Sequence, residues 1–293
     1  MLKNSRNDTL KTWRIIDVIN WGVDYFGKKD FDNPRLEIEI FLQHILNCEK
    51  IDLYIDFEKE FLPVNLKKLK ELVKRRIKRE PIQYITGKTS FYGREFNVDK
   101  NVLIPRPETE IIINVSIEFL LTKKNPNIID IGTGSGCIGI TLAKEVPSSN
   151  VIAIDYSESA LNIAKENAKS IGVKNIEFIK LDFLKENFKY LADLVVSNPP
   201  YISKKDISSI MIDVKEYEPH NALTDKMDGL EFYRMFSKKF NNIIKGGGSL
   251  IVEVGNDNHP LKVKELFEEA GHNKVEMIKD YNKDIRVLKV IKD

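Results

Sequence analysis

Residues 127–144 constrain this chain more than any other stretch. A short apolar run at 128–131 leads into Gly132-Thr133-Gly134-Ser135-Gly136, and a helical pattern follows from Ile138. Glycines between a strand and a helix let the backbone turn sharply and approach a ligand closely. Further apolar runs follow at 151–154, 176–179, 194–196 and 250–254, short, β-branched and separated by helix-like stretches. That alternation predicts a mostly parallel sheet covered by helices on both faces. Residues 285–291 follow the run at 275–278 with no helix between, so these two form an antiparallel pair.

The first 80 residues read differently, as helices without strand alternation. Ile16, Ile19, Val23 and Phe26 recur at three- and four-residue steps, as do Ile38, Phe41, Leu42 and Ile45 after the start signal Asn33-Pro34. Leu66, Leu69, Val73 and Ile77 mark another helix, whose other faces carry Lys67, Lys68, Lys70, Lys74, Arg75, Arg76, Lys78 and Arg79. That basic face reads either as a solvated surface or as a docking surface for an acidic or RNA partner. Pro81 closes the helix. Residues 89–104 alternate around Gly93 as a hairpin or connector, and Pro105-Arg106-Pro107 leads into a helix with Glu108 and Glu110 in its first turn. The expected organisation is a helical domain over 1–80, a connector over 81–107 and an α/β domain over 108–293.

Composition excludes several classes. With 293 residues, 42% of them hydrophobic, the chain can bury a sizeable core. Its 46 basic and 44 acidic residues nearly cancel, so no general attraction to phosphate backbones is expected. Cys48 and Cys137 are too few for a disulfide framework or a thiolate zinc site. His44, His220, His259 and His272 share no spacing, and no metal is expected. Residues 1–8 lack the apolar core of a signal peptide, and no run approaches a membrane span, so a cytoplasmic protein is expected.

The ligand of the glycine loop is open on spacing alone. Gly134-Ser135-Gly136-Cys137-Ile138-Gly139 satisfies the dinucleotide pattern GxGxxG, with Asp155 about 20 residues further on as the ribose acid. Yet the strand ends at Ile131, so that pattern would begin two residues into the turn. Read from Asp130, DxGxGxG matches the loop by which class I methyltransferases bind S-adenosylmethionine (AdoMet), and Asp155 again takes the ribose hydroxyls. Asp182 and Phe183, just past the third strand, would then meet the adenine, Phe183 by stacking and Asp182 as acceptor for its amino group.

Asn198-Pro199-Pro200-Tyr201 follows the fourth strand at the same sheet edge. A planar amide or aniline-like nitrogen is a poor nucleophile, because its lone pair is delocalised. The Asn198 side-chain oxygen and the Pro199 carbonyl can each accept one hydrogen bond from an NH2 group, aim it at an electrophilic methyl and stabilise the charge it develops. Pro200 stiffens the backbone, and Tyr201 can stack on the flat substrate group.

These blocks, together with Pro81-Ile82-Gln83-Tyr84-Ile85-Thr86-Gly87, Phe91-Tyr92-Gly93 and Ile104-Pro105-Arg106-Pro107-Glu108-Thr109-Glu110, resemble the HemK/PrmC family from about residue 10 to residue 290. The resemblance implies a Rossmann-like class I methyltransferase, with a mostly parallel seven-stranded sheet, one antiparallel strand and a small helical N-terminal domain that docks the substrate. It also implies transfer of a methyl group from AdoMet to the N5 nitrogen of a glutamine in class I peptide chain release factors. Gly132 to Gly136, Asp155, Phe183 and Asn198 would line the AdoMet site, and Asn198 to Tyr201 would hold the glutamine. The family often carries tryptophan where this chain has Phe183. A monomer without a stable nucleic-acid partner is expected. The rival readings are a DNA adenine N6-methyltransferase, since an adenine amino group presents the same two hydrogens, and a methyltransferase-like binding module without chemistry.

Overall fold

A computed structural model describes residues 12–187 and 189–293. Residues 1–8, on which the expectation about a signal segment falls, lie outside them. The chain forms two compact units that divide between Thr86 and Gly87.

The first unit packs α1 (Ile15–Gly27), α2 (Pro34–Leu46), α3 (Lys50–Ile55), α4 (Pro63–Arg76) and α5 (Ile82–Thr86) around Phe26, Phe41, Leu42, Leu53 and Phe61. The buried face of α1 is Ile15, Val18, Ile19, Gly22 and Phe26. It is rotated from the expected Ile16/Val23 line because α2 passes over Gly22, where a Cβ would stand only 2.4 Å from Ile38 Cγ1. On α4 the inward residues are Leu69, Val73 and Arg76. Arg76 departs from the expected basic face: it makes two hydrogen bonds to the Glu37 carboxylate, at 2.8 and 2.9 Å, and its guanidinium lies over Phe31. Residues 82–86, expected in a connector, form α5 within this unit.

The second unit opens with a hairpin, β1 (Lys88–Phe91) paired antiparallel with β2 (Arg94–Asn97). Its two turn residues, Tyr92 and Gly93, both have positive φ, the twist a two-residue hairpin loop requires. A 3-10 turn at Pro107–Thr109 then leads into α6 (Glu110–Leu120). Next come β3 (Asn127–Ile131), α7 (Cys137–Glu145), β4 (Asn150–Asp155), α8 (Glu158–Ile171), β5 (Ile176–Lys180) and β6 (Ala192–Ser197). The short helices α9 (Ile212–Tyr217) and α10 (His220–Leu223) precede α11 (Glu231–Ile243), β7 (Ile244–Glu253), α12 (His259–Glu269), β8 (Val275–Lys279) and β9 (Ile285–Ile291).

The seven-stranded sheet runs β5-β4-β3-β6-β7-β9-β8, and only β9 is antiparallel to its neighbours. The expected α/β class and the antiparallel terminal pair are therefore present. The chain winds outward from β3 through β4 to β5, then returns to place β6 on the other side of β3. The strand order reverses between β3 and β6, and open α/β sheets bind ligands at the carboxyl end of such a reversal. One core layer gathers Ile129, Val195, Phe236 and Phe240, and the other gathers Ile128, Ile140, Leu194 and Val196. Alternate residues of β3 and β6 thus feed opposite faces, as the pleat demands.

Candidate active site

Main-chain geometry builds the floor of the site. Past β3, the amides of Gly132 and Thr133 donate to the Ile154 carbonyl at 2.9 and 3.0 Å, so the loop leaves the sheet between β3 and β4. Gly136 caps α7 at φ +83°, where a Cβ would stand 2.5 Å from Ile140 Cδ1. A side chain there meets both an unfavourable backbone and a filled space. Asp130 holds the loop from beneath: its Oδ2 accepts from Thr133 Oγ1 at 2.6 Å and from the Gly139 amide at 2.9 Å. Its Oδ1 has no hydrogen-bond partner, and burial pushes the carboxyl up to about 6.

Asp155 ends β4 facing this loop. Its Oδ2 accepts from the Gly134 amide at 3.0 Å and its Oδ1 from the Ser157 amide at 2.9 Å, while burial raises its pKa. Each carboxylate oxygen can accept more than one hydrogen bond, so capacity remains for a ligand hydroxyl.

A cavity of about 280 Å³ opens over these groups. Gly132, Thr133, Gly134 and Ser135 line it with Asp155, and Asn198, Pro199 and Pro200 form a second wall. Residues 100–103, Pro105, Arg106 and Thr109 contribute a third. Its aromatic lining is Tyr156 and Phe232. Arg106 is anchored by Glu218, which is only 3% exposed and also accepts from the Ile104 amide at 3.3 Å.

The expected site residues are thus only partly brought together. Gly136, Asp182 and Phe183 are not among the described residues that line the cavity; Gly136 is turned against Ile140 and shapes the turn from behind. Asp182 pairs with Lys185 at 2.9 Å, and Phe183 is buried against Phe236 with Lys239 Nζ 4.7 Å from its ring centroid. The aromatic face of α11 draws Phe183 into the core, so it presents no free face for stacking. Tyr201 lines a neighbouring cavity beyond Pro200, and its hydroxyl donates to Glu253 Oε1 at 3.1 Å. Thr109 and Phe232 also line the cavity, and neither was expected there from the sequence. The first lay within a recognised block, but its proximity to Asn198 is purely tertiary.

The glycine face suits a ligand that approaches the backbone. A Cβ on Gly132 or Gly134 would project into open space, and the acid at the end of β4 lies across from the loop. Backbone groups, a carboxylate at the end of β4 and aromatic walls match the chemistry of a nucleoside-bearing ligand such as AdoMet, and the fold is that of a class I AdoMet-dependent methyltransferase. At the level of fold, the chain resembles a methyltransferase from Pyrococcus furiosus (TM-score 0.50, 17% identity, 77% of this chain and 98% of that one). It likewise resembles the T. thermophilus 16S rRNA N2 G1207 methyltransferase solved with AdoMet and guanosine (TM-score 0.51, 17% identity, 70% and 50%).

Family comparison is more specific. Residues 17–87 match the PrmC N-terminal domain, and residues 122–289 match a methyltransferase domain. The chain is 39% identical to the release factor glutamine methyltransferase of Fusobacterium nucleatum, over 93% of this chain and 77% of that protein. It is 36% identical to that of Chlorobaculum tepidum, over 93% and 95%. The chain belongs to the release factor glutamine methyltransferase family.

Proposed function

We propose that this protein methylates the side-chain amide of a glutamine in class I peptide chain release factors, at N5, with Asn198 and Pro199 holding the amide nitrogen. The observation that carries this reading is the shared cavity: Asn198, Pro199 and Pro200 stand on one wall, with the glycine loop and Asp155 on another. Bound AdoMet supplies an electrophilic methyl group there. Gly132, Thr133, Gly134, Ser135 and Asp155, which line that cavity, would bind it, with Gly136 shaping the turn, and the Asn198 side-chain oxygen and the Pro199 carbonyl would orient the glutamine NH2. As the methyl passes to the nitrogen, its bond to the AdoMet sulfur would break and the electron pair would stay on sulfur in S-adenosylhomocysteine. These acceptors would offset the positive charge on the nitrogen, and one of its protons would leave to solvent. The helical unit docks the release factor, and the enzyme works as a monomer in the cytoplasm. Among the described residues no helix is long and apolar enough to cross a membrane, and no cluster of His, Cys, Asp and Glu could hold a metal ion.

Adenine remains the chemical rival for an NH2-orienting motif, but the names of the relatives do not favour it. The deciding experiment is tritium transfer from labelled AdoMet to purified release factor, with duplex DNA and free glutamine as parallel acceptors. Label on the factor at a single glutamine supports the reading. Label on DNA alone overturns it.

A further inference from the structure

We propose that Thr109 and Glu253 are positioning residues that decide which end of the Asn198 amide faces the substrate. Asn198 Nδ2 donates to Thr109 Oγ1 at 3.1 Å, and the Thr109 hydroxyl donates to Glu253 Oε2 at 2.6 Å. Thr109 and Glu253 are each only 1% exposed, so water does not substitute for either partner.

The chain of donors has one direction. An ionised carboxylate only accepts, so the single Thr109 proton is committed to Glu253 and the Thr109 oxygen can only accept from Asn198. The NH2 end of Asn198 is thereby occupied, and its carbonyl end is left for a substrate NH2. A flipped amide would set Asn198 Oδ1 against a hydroxyl with no proton left to give. Two oxygens facing each other at this partly buried contact, with no proton between them, are disfavoured. The other oxygen of Glu253 accepts from Tyr201, so one carboxylate steadies both ends of the Asn198 to Tyr201 turn.

Strand register explains why a residue so distant in sequence can do this. Ser197 pairs with Val252 between β6 and β7, which brings the next residues, Asn198 and Glu253, side by side at the sheet edge. Thr109 reaches them from the 3-10 turn that precedes α6. Burial raises the Glu253 pKa, while the hydroxyls of Thr109 and Tyr201 and the charge of Arg286 favour its ionised form and Glu108 opposes it.

This inference rests on the assignment of Asn198 as the orienting group, and the test separates the two. Full-length Thr109→Val, Thr109→Ser, Glu253→Gln and Asn198→Ala are compared for kcat and KM on release factor, for AdoMet affinity by calorimetry and for Tm. Thr109→Val should lower kcat at least about tenfold, the scale of one lost buried hydrogen bond, with AdoMet affinity within about twofold of wild type. Thr109→Ser, which keeps the hydroxyl, should restore kcat. Glu253→Gln should lower kcat as well, because its NH2 can donate to Thr109 and reverse the chain. The double variant Asn198→Ala/Thr109→Val should be no slower than Asn198→Ala alone. Wild-type kcat in Thr109→Val beside a slow Asn198→Ala overturns the positioning role only. Wild-type kcat in Asn198→Ala overturns the underlying assignment. Should Thr109→Val fail to fold, Glu253→Gln decides, and normal turnover in it overturns the proposal.

Discussion

The Ser197 hydroxyl donates to the Ile131 carbonyl at 2.6 Å, a buried bond across the last residues of β6 and β3. Both site loops begin one residue later, the glycine loop at Gly132 and the Asn-Pro-Pro-Tyr turn at Asn198. This bond extends the β3–β6 pairing to the point where the two walls of the cavity begin. Ser197→Ala should leave the Ile131 carbonyl without that donor, cost about 1–3 kcal/mol of stability and lower turnover. Urea denaturation and initial rates on release factor check both effects, and unchanged values in both would show that the sheet alone holds the walls.

Asn198→Ala should reduce kcat on release factor by about 10² to 10³, or about 3–4 kcal/mol, the scale seen when one preorganised charge-stabilising group is removed. Its effect on AdoMet affinity should be small by comparison. Stopped-time tritium assays give the first quantity and calorimetry the second. Near-normal turnover would remove Asn198 from the chemistry.

The glycine loop should separate stability from binding. Gly136→Ala places a methyl at positive φ against Ile140 and Ala164, and should cost about 1–3 kcal/mol of stability. Gly134→Ala carries the backbone strain, but its methyl points into the open space of the cavity, so AdoMet affinity should fall. Melting curves with and without AdoMet distinguish the two variants. Equal behaviour in both assays would contradict this division.

Asp130 should make the protein less stable as pH rises from 4 to 7. Its pKa is raised by burial from the ordinary 3.8 to about 6, so the folded state holds a proton that the unfolded chain has already lost. Its stabilising contribution is present below about pH 3.8 and is lost as pH rises through about 6, to a limit of about 3 kcal/mol. The difference in unfolding free energy between wild type and Asp130→Asn, measured by urea titration from pH 4 to 7, should fall along this curve. A difference independent of pH would place the Asp130 pKa near its ordinary value.

Several charges of the basic helix in the first unit are already engaged within that unit. Arg75 pairs with Glu80 at 2.5 Å, Lys74 pairs with Glu71 at 2.8 Å, and Arg79 donates to the carbonyls of Lys29 and Asp30. Reversing those charges would disturb the unit itself. Lys67, Lys68 and Lys70 are exposed on α4, so the triple reversal to Glu at these three is the cleaner probe. Methylation of full-length release factor should slow at low salt, and the gap should narrow as salt screens the contact. A short glutamine peptide should be methylated at the wild-type rate. Equal rates on the full-length factor at low salt would leave this face as solvated surface.

Local signals made most of the sheet legible. The runs that became β3, β4, β5 and β6 are short, β-branched and punctuated by helical spacing, and the glycine loop directly follows the first of them. The positions of Asn198, Pro199 and Asp155 at the sheet edge were legible for the same reason, since Asp155 ends a strand and Asn198-Pro199 follows one whose carboxyl end was already placed. Side-chain direction was not. Phe183 occupies the expected loop, but the aromatic face of α11, contributed by residues some fifty positions later, drew its ring into the core. Arg76 reads as part of a charged surface, yet Glu37 of α2 holds it buried. Glu253, Thr109 and Asn198 lie far apart in the sequence and carry no shared spacing. Strand periodicity is written in neighbouring residues, so sequence alone determined the architecture and the edge at which the site stands. Hydrogen-bond partners and burial depend on which distant segments the sheet order brings together, and these only the tertiary structure decided.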